Sequence, residues 1–131
     1  MRITGLYAAL AALLIIFLAV RVMLRRKTAG VGIGDGGDHE LAKRVRAHAN
    51  AVEYVPIGLI LLLILELDQT TPVLVHAFGI TLVVGRVLHA FGLSKTSKIS
   101  TGRALGIVLS ALAITAMAVL LLWRHLVVAL A

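Results

Sequence analysis

Of the 131 residues, 60% are apolar, well above the roughly 45–50% of soluble domains, which excludes an ordinary soluble globular fold. Thirteen Lys and Arg against six Asp and Glu give a formal net charge of +7; the cations sit in loops and at helix ends rather than in an aromatic-interleaved patch, which excludes nucleic acid and points to topology, anionic headgroups or an anionic substrate. The absence of cysteine excludes disulfides, a CxxC metal site and a thiol nucleophile, so any thiol chemistry would use a thiol of the substrate.

The apolar excess is gathered into four runs near the roughly 20 residues needed to cross hydrocarbon. The expectation is an all-α fold, one integral membrane domain over residues 1–131, with transmembrane helices at about 3–24, 39–67, 72–93 and 102–124. Arg2 precedes the first run, as in a signal peptide. The run exceeds a usual signal core, however, and Arg21-Val22-Met23-Leu24-Arg25-Arg26 stands where a small-residue cleavage region would be, so it reads as an uncleaved helix.

Arg25 to Gly37 reads as a loop. Gly32, Gly34 and Gly37 form a GxGxxG, but no strand precedes them and no βαβ unit can be built around them, so the segment reads as a connector. Asp38 suits the N-cap of the second helix, with Glu40 favourable in its first turn. Pro56 interrupts that helix's hydrogen bonding and predicts a kink near Val55. Glu66 to Thr71 is an acidic turn, and Thr71-Pro72 reads as N-cap and first residue of the third helix. Ser94 to Thr101 is a polar loop carrying Lys95 and Lys98. Trp123, Arg124 and His125 read as an interfacial anchor at the end of the fourth helix.

Arg25, Arg26, Lys27, Lys43, Arg44 and Arg46 flank the first connection, and Lys95, Lys98 and Arg103 the third, whereas the second holds only acids. The positive-inside rule then places the first and third connections in the cytoplasm and both termini outside.

One constellation carries chemistry. Arg46, Asn50 and Glu53 are spaced i, i+4, i+7 and share one side of a helix where it meets the apolar run. Glu53 lies about 10 Å deeper than Arg46, and Arg86 lies about 10 Å deep from the end of the third helix at Leu93. Matching depth predicts a Glu53–Arg86 ion pair, either in a functional pocket or as a structural clamp between helices. His89, one turn from Arg86, reads as pocket lining. Tyr54 reads as an interfacial aromatic or a hydrogen-bond donor to Glu53. Arg46, Asn50, Glu53, Arg86, His89 and Arg103 together define a polar pocket at one membrane face. The histidines have no ligand spacing, so no metal site is read, and the serines lack a base and acid for a triad.

Arg46-Ala47-His48-x-Asn50-x-x-Glu53-Tyr54-x-Pro56, opening the second of four helices, resembles the MAPEG family (membrane-associated proteins in eicosanoid and glutathione metabolism). Gly85-Arg86-Val87-Leu88-His89 resembles the family's second block, and the Asp35-Gly36-Gly37-Asp38 approach is most similar to its bacterial branch. The resemblance implies a multi-pass protein of the bacterial inner membrane that assembles as a homotrimer. It implies glutathione as co-substrate, bound between subunits near the cytoplasmic face, and transfer to or reduction of a lipophilic electrophile arriving through the lipid. Carried over, Arg46, Asn50 and Glu53 contact glutathione, Arg86 and His89 line or brace the pocket, and Arg103 stands beside the sulfur as the catalytic group. Ala49 and Leu93 depart from the pattern, standing where some members carry an arginine and a tyrosine.

The pocket suits that ligand: arginines meet its carboxylates, a carboxylate its ammonium, and a cation beside sulfur favours the thiolate. A second reading is a non-catalytic membrane protein whose polar cluster stabilises the oligomer or binds lipid. A small transporter is a third, but no broken helices or pseudo-repeat support it.

Overall fold

The structure is a computed structural model, and it describes residues 3–95 and 100–130. Arg2, Ser97 and Lys98 of the expectations above lie outside the described residues, as does the side chain of Lys95. Among the described residues the chain is all-helical: α1 (Ile3–Ala29), α2 (His39–Leu67), α3 (Pro72–Lys95) and α4 (Thr101–Leu130). All four helices are long and apolar enough to cross a membrane.

α3 ends slightly beyond its expected limit, at Lys95, and two other helices run well past theirs. α1 was expected to stop near Leu24 but continues through Arg25, Arg26 and Lys27 to Ala29. Basic residues suit the last turn of a helix, where backbone carbonyls are unpaired, and two of these have partners. Arg25 Nη2 lies 2.7 Å from Asp38 Oδ2, and Arg26 Nη1 donates to the Gly32 carbonyl at 3.1 Å. Gly30, at φ +66°, ends the helix by letting Val31 N–H return to the Arg26 carbonyl. α4 runs past Trp123 to Leu130 because no glycine or proline follows Arg124.

Local signals set the start of α2 and the turn after it. Asp38 caps α2, its side chain accepting from Leu41 N–H at 2.8 Å. Pro56 lies within α2, where its missing N–H leaves the Val52 carbonyl without its usual donor. α2 closes in a Schellman turn: Thr70 N–H reaches the Leu65 carbonyl and Gln69 N–H that of Glu66, with Gln69 at φ +56°. The Thr71 carbonyl accepts Val75 N–H, so Thr71 stands at the N-cap position of α3.

α2 and α3 pack on each other, α1 packs against both, α4 packs against both, and α1 and α4 do not pack together. Small residues set the closest approaches. A Cβ on Gly106 would meet the backbone of His89 and Gly85, and one on Gly92 the backbone of Arg103, so α3 and α4 are in backbone contact. Gly79 receives the ring of Tyr7 from α1. One cluster of buried apolar side chains joins Tyr7, Leu62, Leu65, Val75 and Met117 near the acidic turn. A second joins Leu18, Ala47, Ala51, Ala90 and Leu93 near the basic end.

Polar contacts pin both ends of the bundle. At the acidic end the Glu66 carboxylate accepts the backbone N–H groups of Ile3 and Thr4, satisfying donors that α1 cannot pair itself. Arg124, read from sequence as part of an interfacial anchor, turns inward and donates to Thr70 Oγ1 at 2.6 Å. At the basic end Arg21 donates to Ser94 Oγ at 2.9 Å, and Arg44 donates to the Arg21 carbonyl at 3.1 Å.

Candidate functional site

The expected Glu53–Arg86 ion pair does not form. Arg86 is 2% exposed, and among the described residues no carboxylate lies within ion-pair distance of it. Nη1 donates to Asn50 Oδ1 at 2.7 Å, Nε to Ser110 Oγ at 2.7 Å and Nη2 to the Gly106 carbonyl at 3.0 Å. The guanidinium carbon stands 4.6 Å from the centre of the Tyr54 ring. Tyr54 is therefore a cation–π partner of Arg86. Hydrogen bonds from a charged donor are worth about 1.5–3 kcal/mol each. Three of them exceed the about 2.5–3.5 kcal/mol that an arginine costs at a helix centre, so the charge is tolerated without a counter-ion.

Depth arithmetic put Arg86 at the right level but could not choose the side of α2 that meets it. At about 100° per residue, Arg46 and Glu53 lie within about 20° of each other around the axis. Asn50 is turned about 40° from Arg46, and Tyr54 about 80°. Asn50 and Tyr54 therefore face Arg86, while Arg46 and Glu53 face outward. Their side chains are 62% and 48% exposed, and Arg46 Nη1 lies 3.3 Å from Glu53 Oε1. Asn50 links the two sides, its Nδ2 lying 3.5 Å from Glu53 Oε2.

His89 is buried on α3, with Nδ1 3.1 Å from the Arg103 carbonyl. A carbonyl only accepts, so Nδ1 carries the proton and the ring braces the first turn of α4. Ser100 holds the same turn, accepting from Arg103 N–H and donating to the Gly92 carbonyl, each at 3.3 Å. These contacts bring Arg103 of α4 to one open groove of about 510 Å³ that is also lined by His39, Ala42, Lys43, Arg46 and Leu93. A neighbouring groove of about 340 Å³ shares Ala42 and Arg46 and extends to Gly34, Asp35 and Ala49.

Of the residues singled out from sequence, Arg46 and Arg103 line the groove, and Glu53 borders it through its pair with Arg46. Arg86 and His89 are buried behind it as supports, and Asn50 stands between Arg86 and Glu53. Lys43 and His39 line it without having been singled out. Their signal was present: His39, Lys43 and Arg46 repeat the i, i+4, i+7 spacing one stretch earlier in the helix. A cavity of about 540 Å³ at the opposite end, lined by Asp68, Trp123, Arg124 and His125 among others, is the poorer candidate. Its one arginine is committed to Thr70 and the Asp68 carbonyl.

The loop approach to the groove is held electrostatically. Asp38 accepts from Leu41 N–H and pairs with Arg25, and these contacts keep its carboxyl below the usual aspartate range.

Comparisons with known proteins cover most of the chain. The MAPEG family profile matches residues 4–123. The chain is 41% identical over 90 residues to the inner membrane protein YecN of Escherichia coli K12, a match covering 69% of each chain. YecN of E. coli O6:H1 matches to the same extent. Four apolar helices and an inner-membrane relative fit a multi-pass inner membrane protein. The chain belongs to the MAPEG family.

Proposed function

We propose that this protein is a glutathione-dependent transferase or peroxidase acting on hydrophobic electrophiles, with glutathione held near the cytoplasmic face between subunits of a homotrimer. The observation that carries the reading is the meeting of Arg46 and Lys43 from α2 with Arg103 from α4 in one open groove, beside the exposed carboxylate of Glu53. Glutathione carries two carboxylates and one ammonium, and this set of cations with one acid is complementary to it. Family membership supports the same ligand without establishing the activity.

In this reading Arg46 and Lys43 bind carboxylate, and Glu53 meets the ammonium as Arg46 is drawn to the ligand. Arg103 lowers the thiol pKa, so that the thiolate attacks the electrophile. Arg86 and His89 brace Asn50 and Arg103 and do not touch the ligand. Leu93 gives the groove an apolar wall without a hydroxyl for the sulfur, leaving sulfur activation to Arg103. The groove is open along one side in the single chain, where a neighbouring subunit would close it. The cations of the α1–α2 connection support a cytoplasmic position for this end.

Thiolate absorbance of added glutathione, followed against pH, tests the reading. The parent lowers the thiol pKa, and Arg103→Ala restores it towards its free value. An unshifted thiol in the parent supports the non-catalytic reading instead.

A further inference from the structure

Asn50 stands between the buried network and the groove. Its Oδ1 is 2.7 Å from Arg86 Nη1, and its Nδ2 is 3.5 Å from Glu53 Oε2. A guanidinium has only donors and an ionised carboxylate only acceptors. Both neighbours therefore impose the same orientation on the amide, oxygen inward and nitrogen outward. The reverse orientation would set nitrogen against the guanidinium and oxygen against the carboxylate, losing both bonds.

Arg86 cannot easily yield, because it is fixed from two helices. Ser110 Oγ accepts from Nε at 2.7 Å and donates to the Gly106 carbonyl at 2.9 Å, and that carbonyl also takes Nη2 at 3.0 Å. From α2, the Tyr54 ring lies against the guanidinium at 4.6 Å. On its outward side the Asn50 amide has one long bond to Glu53, and its second N–H has no partner among the described residues.

We infer that Arg86 is a positioning residue for the groove: it locks the Asn50 amide with its N–H donors outward, beside Arg46 and Glu53, so that this wall selects a hydrogen-bond acceptor from the ligand, a carboxylate or carbonyl oxygen. The lock is set by Ser110 and Gly106, which never reach the ligand. The inference rests on the glutathione reading only for the identity of the ligand.

Asn50→Asp separates selection from support. The new side chain keeps an oxygen for Arg86 and removes both outward donors. The purified protein in detergent is followed for thermal midpoint and for glutathione binding by calorimetry. Asn50→Asp is expected to change the midpoint little, because the stronger pairing with Arg86 offsets repulsion from Glu53, and to bind glutathione at least about tenfold more weakly. Arg86→Met, which frees the amide to turn, is expected to weaken glutathione binding several-fold. In that background Asn50→Asp should lower the midpoint, because the carboxylate loses its buried partner.

Parent-like glutathione affinity in Asn50→Asp overturns the inference. So does a change in midpoint that is the same with and without Arg86. If the parent itself binds no glutathione, the proposed function fails, and the midpoints of the four proteins alone decide whether Arg86 holds the amide.

Discussion

Arg86 Nη1 donates to Asn50 Oδ1 at 2.7 Å, so a buried cation on α3 is held to α2 by a neutral amide rather than by the acid three residues further along. Glu53 is left to the surface, where it pairs with Arg46. The division assigns Arg46 and Glu53 to the groove side of α2 and the Asn50 amide oxygen to the interior.

Double-mutant cycles distinguish these partners. Glu53→Gln should change stability by no more than about 1 kcal/mol, as for other exposed pairs, and should show almost no coupling to Arg86→Met. Asn50→Leu should cost about 1.5–3 kcal/mol and couple strongly to Arg86→Met, since each removes the other's partner. Strong Glu53–Arg86 coupling in thermal or chemical denaturation would contradict the arrangement.

The contact between α3 and α4 predicts a contrast between two glycines. At Gly106 a methyl group meets backbone atoms of His89 and Gly85, so Gly106→Ala must separate the helices and should cost about 1–3 kcal/mol. At Gly58 it meets only side-chain atoms of the buried Leu82, the nearest at 2.6 Å, so the strain falls on one side chain rather than on the helix backbones. The gain in helix propensity of about 1 kcal/mol then offsets part of the cost, and Gly58→Ala should cost less than Gly106→Ala. Thermal midpoints of the two variants check the difference. Because Gly106 also supports Arg86, the first variant should lose glutathione binding as well.

Much of this architecture was legible in the chain because it depends on composition and on single local signals. Four apolar runs of spanning length gave four helices, and Asp38, Thr71 and Pro72 marked helix starts. Arg25–Lys27 was misread as loop because charge clusters suggest a membrane surface, whereas Arg25 gains Asp38 as a partner only after the chain turns back. The pocket was legible in depth but not in azimuth. Rise per residue fixes the level of Arg86, but only packing decides whether Asn50 or Glu53 faces it. Ser110 in an apolar helix carries no signal until Arg86 is placed against it, and Gly106 signals only a close helix approach, not the carbonyl it offers to Arg86.

The Asp38 contacts predict a pH dependence with a definite sign. A carboxyl whose folded pKa lies below its unfolded value stabilises the fold at pH above the unfolded value of about 3.9. That contribution disappears as pH falls through the lower folded value. Asp38→Asn keeps an N-cap acceptor but loses the charge. It should therefore melt below the parent at pH 7, and the gap should close as the pH is lowered below about 4. A gap that persists in acid would show that the charge is not its source.

Orientation in the membrane can be checked with one introduced thiol, because the chain has no cysteine of its own. Gly32 is exposed, faces open space and lacks a positive φ, so Gly32→Cys should be tolerated. A membrane-impermeant maleimide should label it in inverted vesicles and not in intact cells. Labelling from outside intact cells would reverse the topology.

The most direct measurement of the central claim is titration of glutathione into the detergent-solubilised parent, Arg46→Ala and Arg103→Ala by calorimetry, with turnover of a hydrophobic electrophile measured alongside. The parent should bind and turn over. Losing one charge-assisted contact of about 1.5–3 kcal/mol, Arg46→Ala should bind about ten- to a hundredfold more weakly. Arg103→Ala should keep most of the affinity while losing turnover. Absence of binding in the parent, or affinity and turnover unchanged in both variants, would contradict a glutathione site in this groove.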